Sequence, residues 1–180
     1  MDDDTTSSVP FVTNPPLFHL DPIKQQQVQI SALPNELPQD RESLFFFNLQ
    51  EIPQVDESQA NVLAIAMRTR IKLFYRPSAL KSGPQQQVDT LRWSLVQADG
   101  KRRLAVDNPT PYHVTFARLV VSANGQPENI NTAAMAPPLG RQYFDLPDTY
   151  RQGPLQVEFA TLNDYGSSSQ PLTMTVSQPH

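Results

Sequence analysis

The sequence predicts an all-β protein built from two β-sandwich domains. Three observations carry this prediction. Proline supplies 18 of the 180 residues and glycine only 6, no segment repeats its apolar residues with the 3.6-residue period of a helix, and strand-like runs alternate with turn signals. Proline disfavours long helices because it lacks a backbone N–H and clashes with the preceding turn. The hydrophobic content of 38% is that of a globular chain.

The first part of the chain contains four extended segments. Val9–Leu20 is interrupted by prolines, and Gln25–Ala32 alternates between polar and apolar residues. Ser43–Ile52 (SLFFFNLQEI) is rich in the aromatic and aliphatic residues that favour strands. Asn61–Pro77 (NVLAIAMRTRIKLFYRP) has no glycine and no internal proline, and it is the longest strand candidate.

Residues 78–87 (SALKSGPQQQ) differ in composition from the segments on either side. We predict that they connect a first domain, residues 1–77, to a second domain, residues 88–180. Short strand candidates separated by turn signals such as Asp99-Gly100 and Asn124-Gly125 predict a β-sandwich for the second domain. These candidates are Leu91–Ala98, Arg103–Asp107, Tyr112–Ser122, Arg141–Asp145, Leu155–Leu162 and Leu172–Ser177.

Composition and motifs argue against several classes of function. The net charge is −4, whereas non-specific nucleic-acid binding needs a cationic face, and no segment approaches the ~20 apolar residues of a membrane span. The absence of cysteine excludes disulfides and cysteine-based zinc sites. The three histidines lack metal-ligand spacing, and no nucleophile or phosphate-binding motif occurs. We therefore expect a binding protein without cofactor or metal, not an enzyme.

The apolar half of Asn61–Pro77 has two structural interpretations. With a period of two, Leu63, Ile65 and Met67 share one face of the strand. They either pack in the core of their own domain or form an edge that another protein occupies, and periodicity does not choose between these alternatives. An open apolar edge would invite aggregation. Burying three such side chains in a partner would contribute ~5–9 kcal/mol, at ~1.5–3 kcal/mol each, and ladder hydrogen bonds would fix the register.

Several motifs together resemble the periplasmic pilus chaperones of the chaperone–usher pathway, the PapD-like family. They are Gln39–Pro53 with Asn61–Pro77, Asn14–Pro22 (NPPLFHLDP), Asn108–Thr115 (NPTPYHVT) and Leu162–Ser169 (LNDYGSSS). The resemblance implies two immunoglobulin-like β-sandwich domains in a boomerang arrangement. It also implies donor-strand complementation, in which the chaperone lends an edge strand to a pilus subunit that lacks its last strand, and then delivers the subunit to an outer-membrane usher.

The resemblance assigns two groups of residues to subunit binding. Leu63, Ile65 and Met67 match the donor residues that fill the groove of the subunit. Lys72 matches the lysine that anchors the C-terminal carboxylate of the subunit. An ammonium group that faces a carboxylate in a partly enclosed cleft forms a charge-assisted hydrogen bond, which agrees with this role.

A third group, Glu42, Arg76 and Asp164, matches an internal salt-bridge network that fixes the angle between the two domains. A guanidinium group can serve two carboxylates, so Arg76 is suited to the centre of such a network. Without the resemblance, these three residues would be interpreted as unrelated surface charges.

The chain also departs from the family pattern. No segment matches the family's signal peptide and first strands, or the cleft arginine that those strands carry. We therefore expect the first domain to be N-terminally truncated. A poorly functional chaperone remnant, or a structural or adhesive immunoglobulin-like protein, is the alternative function. The family implies a periplasmic location, pilus subunits and an usher as partners, and no insertion into the membrane. The sequence leaves open whether free molecules cap the strand by forming a self-capping oligomer.

Overall fold

The structure is a computed structural model that describes residues 9–53, 65–98, 100–147, 150 and 154–177. Its regular structure in these residues is almost entirely β, with two short 3₁₀ helices at Pro84–Gln86 and Val88–Thr90. The all-β prediction is therefore confirmed. None of the helices in the described part of the chain has the length and apolar character needed to cross a membrane.

Eleven strands occur in the described residues. They are β1 (Phe11–Asn14), β2 (Gln29–Ala32), β3 (Ser43–Gln50), β4 (Arg68–Tyr75), β5 (Arg92–Ala98), β6 (Lys101–Asn108), β7 (Phe116–Ala123), β8 (Gln126–Asn129), β9 (Gly140–Asp145), β10 (Gln156–Thr161) and β11 (Leu172–Thr175). The chain divides into two compact units between Leu37 and Pro38. In the first unit, β1 and β2 form an antiparallel pair in which Phe11 lies opposite Ala32.

The second unit contains a β-sandwich with a continuous aromatic core. One sheet has the order β5-β6-β9 and the other the order β11-β10-β7-β8. Trp93 and Phe144 from the first sheet pack against Phe116 and Phe159 from the second, with ring centroids 5.3 to 6.3 Å apart. All four side chains are buried. Alternation of apolar residues along the strands therefore brings both sheets onto one core.

The second unit also contains the two-stranded sheet β3-β4, which includes part of the longest predicted strand. The pairing is antiparallel from Ser43 opposite Tyr75 to Gln50 opposite Arg68. Beyond β4, the N–H of Glu51 donates to the C=O of Met67 over 2.9 Å, which continues the ladder. Among the described residues, no strand pairs with the other edge of β4. Leu63 lies outside the described residues.

Two strands of the sandwich differ from the sequence prediction. The predicted strand Tyr112–Ser122 begins only at Phe116 as β7, because the preceding residues form a loop held by the side chain of Asn108. The strand β8 was not predicted, since it contains Pro127. It lies at the edge of its sheet, where a missing backbone N–H is tolerated.

Candidate functional site

The second unit contains a cleft of about 550 Å³ at the end of the β3-β4 sheet. Its charged and titratable lining residues are Glu42, Lys72, Arg76, His113 and Asp164. Four of these five residues were singled out in the sequence, and the fold brings them to one place.

Strand register explains why β3 and β4 supply three of these residues. Lys72 and Arg76 are separated by four residues, so their side chains share one face along β4 and its continuation. Ser43 pairs with Tyr75, which places Glu42 opposite Arg76 as the ladder continues. The N–H of Glu42 donates to the C=O of Pro111 over 2.8 Å, and this bond fixes the start of β3 against the loop that carries His113.

Arg76 bridges Glu42 and Asp164. Its Nε donates to Glu42 Oε1 over 2.9 Å, while Nη1 and Nη2 donate to Asp164 Oδ2 and Oδ1 over 2.9 and 3.0 Å. The Glu42 side chain is only 3% exposed, whereas that of Asp164 is 52% exposed. The structure thus joins the three residues in one network. The angle-fixing role that the resemblance gives them stays a prediction.

The network controls the protonation of its members. Burial opposes the charge of Glu42, but hydrogen bonds from His113 and Arg76, together with the charge of Arg76, outweigh burial and hold the pKa of Glu42 below its ordinary value. Hydrogen bonds from Arg76 likewise lower the pKa of Asp164. The bonds to Asp164 and Glu42 raise the pKa of Arg76 despite desolvation. All three groups are therefore charged at neutral pH.

The sequence prediction missed the part that His113 plays in this network. Its backbone N–H donates to Glu42 Oε2 over 2.8 Å, and its Nδ1 lies 3.3 Å from the same oxygen. The imidazole ring packs on Phe74 with ring centroids 5.4 Å apart. Glu42 precedes His113 by 71 residues, so spacing along the chain gives no signal of the contact.

Asn108 shapes the loop that presents His113. Its buried amide donates to the C=O groups of Tyr112 and Pro137, each over 2.8 Å. Its Oδ1 accepts hydrogen bonds from the N–H and the hydroxyl of Thr110 over 3.1 and 2.7 Å. One side chain therefore satisfies the backbone and side-chain groups of a loop that has no sheet partners at these positions.

A second side-chain-stabilised turn positions Asp164. Asn163 Oδ1 accepts hydrogen bonds from the N–H groups of Tyr165 and Ser167, both over 2.9 Å. Gly166 adopts φ +78° in this turn, a conformation that glycine reaches without steric cost. The motif LNDYGSSS thus has a local physical explanation: it forms the tight turn from which Asp164 reaches Arg76.

Lys72 provides a cation that no carboxylate neutralises within the described part of the chain. Its ammonium group is exposed and donates to Met135 Sδ over 3.2 Å, and a thioether sulfur is only a weak acceptor. Met135 was not singled out in the sequence, and its contact with Lys72 spans 63 residues. The ammonium group is accordingly available to an anionic ligand in the cleft.

The apolar residues that precede β4 project away from the core. The exposed fractions of Ile65 and Met67 are 67% and 66%, and Ile71 on the same strand is 54% exposed. Leu63, the remaining predicted donor residue, is outside the described residues. Among the described residues, no group of three or more His, Asp or Glu side chains could hold a metal ion.

Comparison with known proteins gives matches along most of the chain. Residues 1–81 match the family model described as "Pili and flagellar-assembly chaperone, PapD N-terminal domain", and residues 86–172 match "Pili assembly chaperone PapD, C-terminal domain". The probable fimbrial chaperone LpfB of Escherichia coli O157:H7 is 37% identical over 178 residues, which is 97% of this chain and 73% of the relative.

Solved structures agree with the sequence matches. The crystal structure of the YadV chaperone superposes with a TM-score of 0.80 at 33% identity, covering 96% of this chain and 81% of that one. The SafB chaperone in complex with the Salmonella enterica SafA pilin gives a TM-score of 0.77 at 29% identity, covering 96% and 78%. These neighbours confirm the prediction of immunoglobulin-like domains. The chain therefore belongs to the PapD-like family of pilus assembly chaperones, a family of non-enzymatic proteins, as the sequence motifs predicted.

Proposed function

We propose that this protein captures pilus subunits by donor-strand complementation, using the segment from Leu63 through β4, and delivers them to an outer-membrane usher in the periplasm. The observation that carries the proposal is an extended apolar segment with an open edge that leads directly into a cationic cleft. Ile65 and Met67 are exposed on this segment, and Lys72 lies in the cleft.

The backbone of β4 is suited to pairing with a second chain. Because the N–H of Glu51 donates to the C=O of Met67, the hydrogen-bonded pairs fall on the odd-numbered residues of β4. The even-numbered residues, such as Lys72 and Phe74, therefore direct their backbone groups towards the edge with which no described strand pairs. A subunit strand added there would gain ladder hydrogen bonds that set its register.

The apolar side chains supply the favourable free energy of capture. Burying Ile65 and Met67 in a subunit groove contributes about 3–6 kcal/mol before ordering costs, at ~1.5–3 kcal/mol for each side chain. Leu63 is assigned to the same face by the two-residue period. Such contacts require apolar surface of roughly matching shape and no particular partner sequence, so one chaperone can hold several related subunits.

Lys72 would fix where the subunit chain ends. A C-terminal carboxylate is a strong acceptor for an ammonium group, and within the described residues Lys72 has only a sulfur acceptor that it must give up. The complex of SafA pilin with the SafB chaperone supports a pilin as the partner class. The usher and the periplasmic location rest on family membership.

The replacement Lys72→Ala tests this proposal. Affinity-tagged chaperone is co-expressed with a pilus subunit from the same organism, and the amount of co-purified subunit is measured. Loss of the anchor should weaken capture by at least about thirtyfold, since truncating one partner of a buried charge pair costs roughly 2–5 kcal/mol. The exposed Lys81 gives a matched control, Lys81→Ala, which should retain capture. Equal capture by Lys72→Ala and the wild type would reject the anchor.

A further inference from the structure

We propose that His113 is a second carboxylate-binding group of the Lys72 cleft, and that it binds the ligand carboxylate only in its doubly protonated form. The inference rests on the proposed function, because it assigns a further binding residue to the same cleft. It predicts that capture of a chain bearing a free C-terminal carboxylate is accompanied by the uptake of one proton.

Glu42 determines which nitrogen of His113 carries the proton. An ionised carboxylate is only an acceptor, and Glu42 Oε2 lies 3.3 Å from Nδ1. The neutral ring therefore keeps its hydrogen on Nδ1 and presents a lone pair at Nε2. This arrangement repels a carboxylate at Nε2, whereas protonation of the ring converts Nε2 into a donor.

Nε2 of His113 is the ring nitrogen that remains available to a ligand. It makes no hydrogen bond to the described residues, and it is not among their fully enclosed polar atoms. His113 lines the same cleft as Lys72. Its ring packs on Phe74, which lies two residues beyond Lys72 on the same face of β4. The donors of Lys72 and His113 thus converge on one cleft from two elements.

The other charged groups of the cleft leave the balance to His113. Arg76 and Lys72 from the β4 side carry positive charges, and these are matched by Glu42 before β3 and Asp164 from the turn after β10. The lowered pKa values of Glu42 and Asp164 and the raised pKa of Arg76 keep those three groups charged between pH 5 and 8. Histidine is the side chain that ordinarily changes charge in this interval. Protonated His113 would make the cleft net cationic.

The test measures peptide binding to the full chain between pH 5.5 and 8.0. The probe is a fluorescein-labelled synthetic strand peptide of alternating valine and threonine with a free C-terminal carboxylate, and its C-terminal amide is the matched ligand. Binding is followed by fluorescence anisotropy. The α-carboxylate of the probe stays ionised throughout this range, so its own titration does not contribute.

Four variants separate the contributions. His113→Asn retains an amide donor near the position of Nδ1 but has no counterpart of Nε2, and His113→Gln has a donor that cannot become charged. His19→Asn is the control, because His19 is exposed and lies beside Asp21 in the first unit. Lys72→Ala tests the proposed anchor itself. Fluorescence of the single tryptophan, Trp93, verifies that each variant is folded.

The wild type and His19→Asn should bind the free-acid peptide about tenfold more tightly at pH 5.5 than at pH 8.0, as expected for one added charge-assisted hydrogen bond. The amide should show no such change. Both His113 variants should bind with the same affinity at the two pH values. Unchanged pH dependence in either folded His113 variant, or none in the wild type, would overturn the inference. Wild-type affinity in Lys72→Ala would instead reject the proposed anchor, and absence of wild-type binding would reject both.

Discussion

The functional residues of the cleft depend on contacts that are distant in sequence. Glu42, Arg76 and Asp164 could be selected because they match a family pattern, and the fold joins them through four hydrogen bonds and ion pairs of 2.8 to 3.0 Å. His113 could not be selected, because neither its residue type nor its spacing distinguishes it from an ordinary loop histidine. What identifies it is the buried carboxylate beside it.

Glu42 should make stability depend on acidity. Its pKa in the folded protein lies below its ordinary value, so its contribution to the free energy of unfolding is present above the unfolded-state pKa of about 4.3 and is lost as pH falls towards the folded-state pKa. Glu42→Gln should lower the free energy of unfolding at pH 7 by about 1–3 kcal/mol and flatten its decline below pH 5. Urea unfolding measured at a series of pH values would detect both effects. An equally steep decline in the variant would assign the acid sensitivity to other carboxylates.

Asn108 should be important for stability although it binds no ligand in this account. Asn108→Ala leaves the buried C=O groups of Tyr112 and Pro137 without their amide donor, so we expect a loss of about 2–4 kcal/mol. Urea unfolding followed by Trp93 fluorescence measures it. Asn129→Ala, at an exposed position, is the control and should change stability by less than about 0.5 kcal/mol. Similar stability of both variants would contradict the structural role of Asn108.

At the scale of elements, the strands that follow simple alternation were the ones that could be predicted. Segments such as Ser43–Ile52 and Leu91–Ala98 contain β3 and β5, because apolar alternation and strand propensity agree there. The edge strand β8 was missed because Pro127 is a strand-breaking signal that an edge position overrides. The start of β7 was placed too early because side-chain hydrogen bonds from Asn108 cannot be inferred from periodicity.

The segment leading into β4 should tolerate charge without loss of fold. Ile65 is 67% exposed, whereas Leu95 is 1% exposed in the sandwich core. Ile65→Glu should therefore change the free energy of unfolding by less than about 0.5 kcal/mol while preventing co-purification of a pilus subunit. Leu95→Glu should unfold the second domain, because an unpaired charge is costly to bury. Thermal unfolding and co-purification distinguish these outcomes. Unfolding of Ile65→Glu would indicate that the residue packs in the core of its own domain.

At the scale of the whole molecule, family membership and local physics support the same interpretation. The two family models meet between residues 81 and 86, within the segment predicted as a connection from its composition. Fold class followed from proline content and strand alternation. Binding roles required the resemblance, because a capture strand is an ordinary strand until its edge is known to be open. The charge of the cleft required the structure, since its five titratable residues come from four separate parts of the chain.

Hydrogen–deuterium exchange tests the capture of subunits by β4 most directly. The full chain is compared alone and in complex with a pilus subunit, and exchange is followed for each backbone segment. We predict that complex formation slows exchange in residues 65–72 by at least about tenfold, because a subunit strand would add hydrogen bonds along the open edge. The sandwich strands β5 to β11 should exchange at unchanged rates. A stable complex in which residues 65–72 exchange as fast as in the free protein would contradict the account.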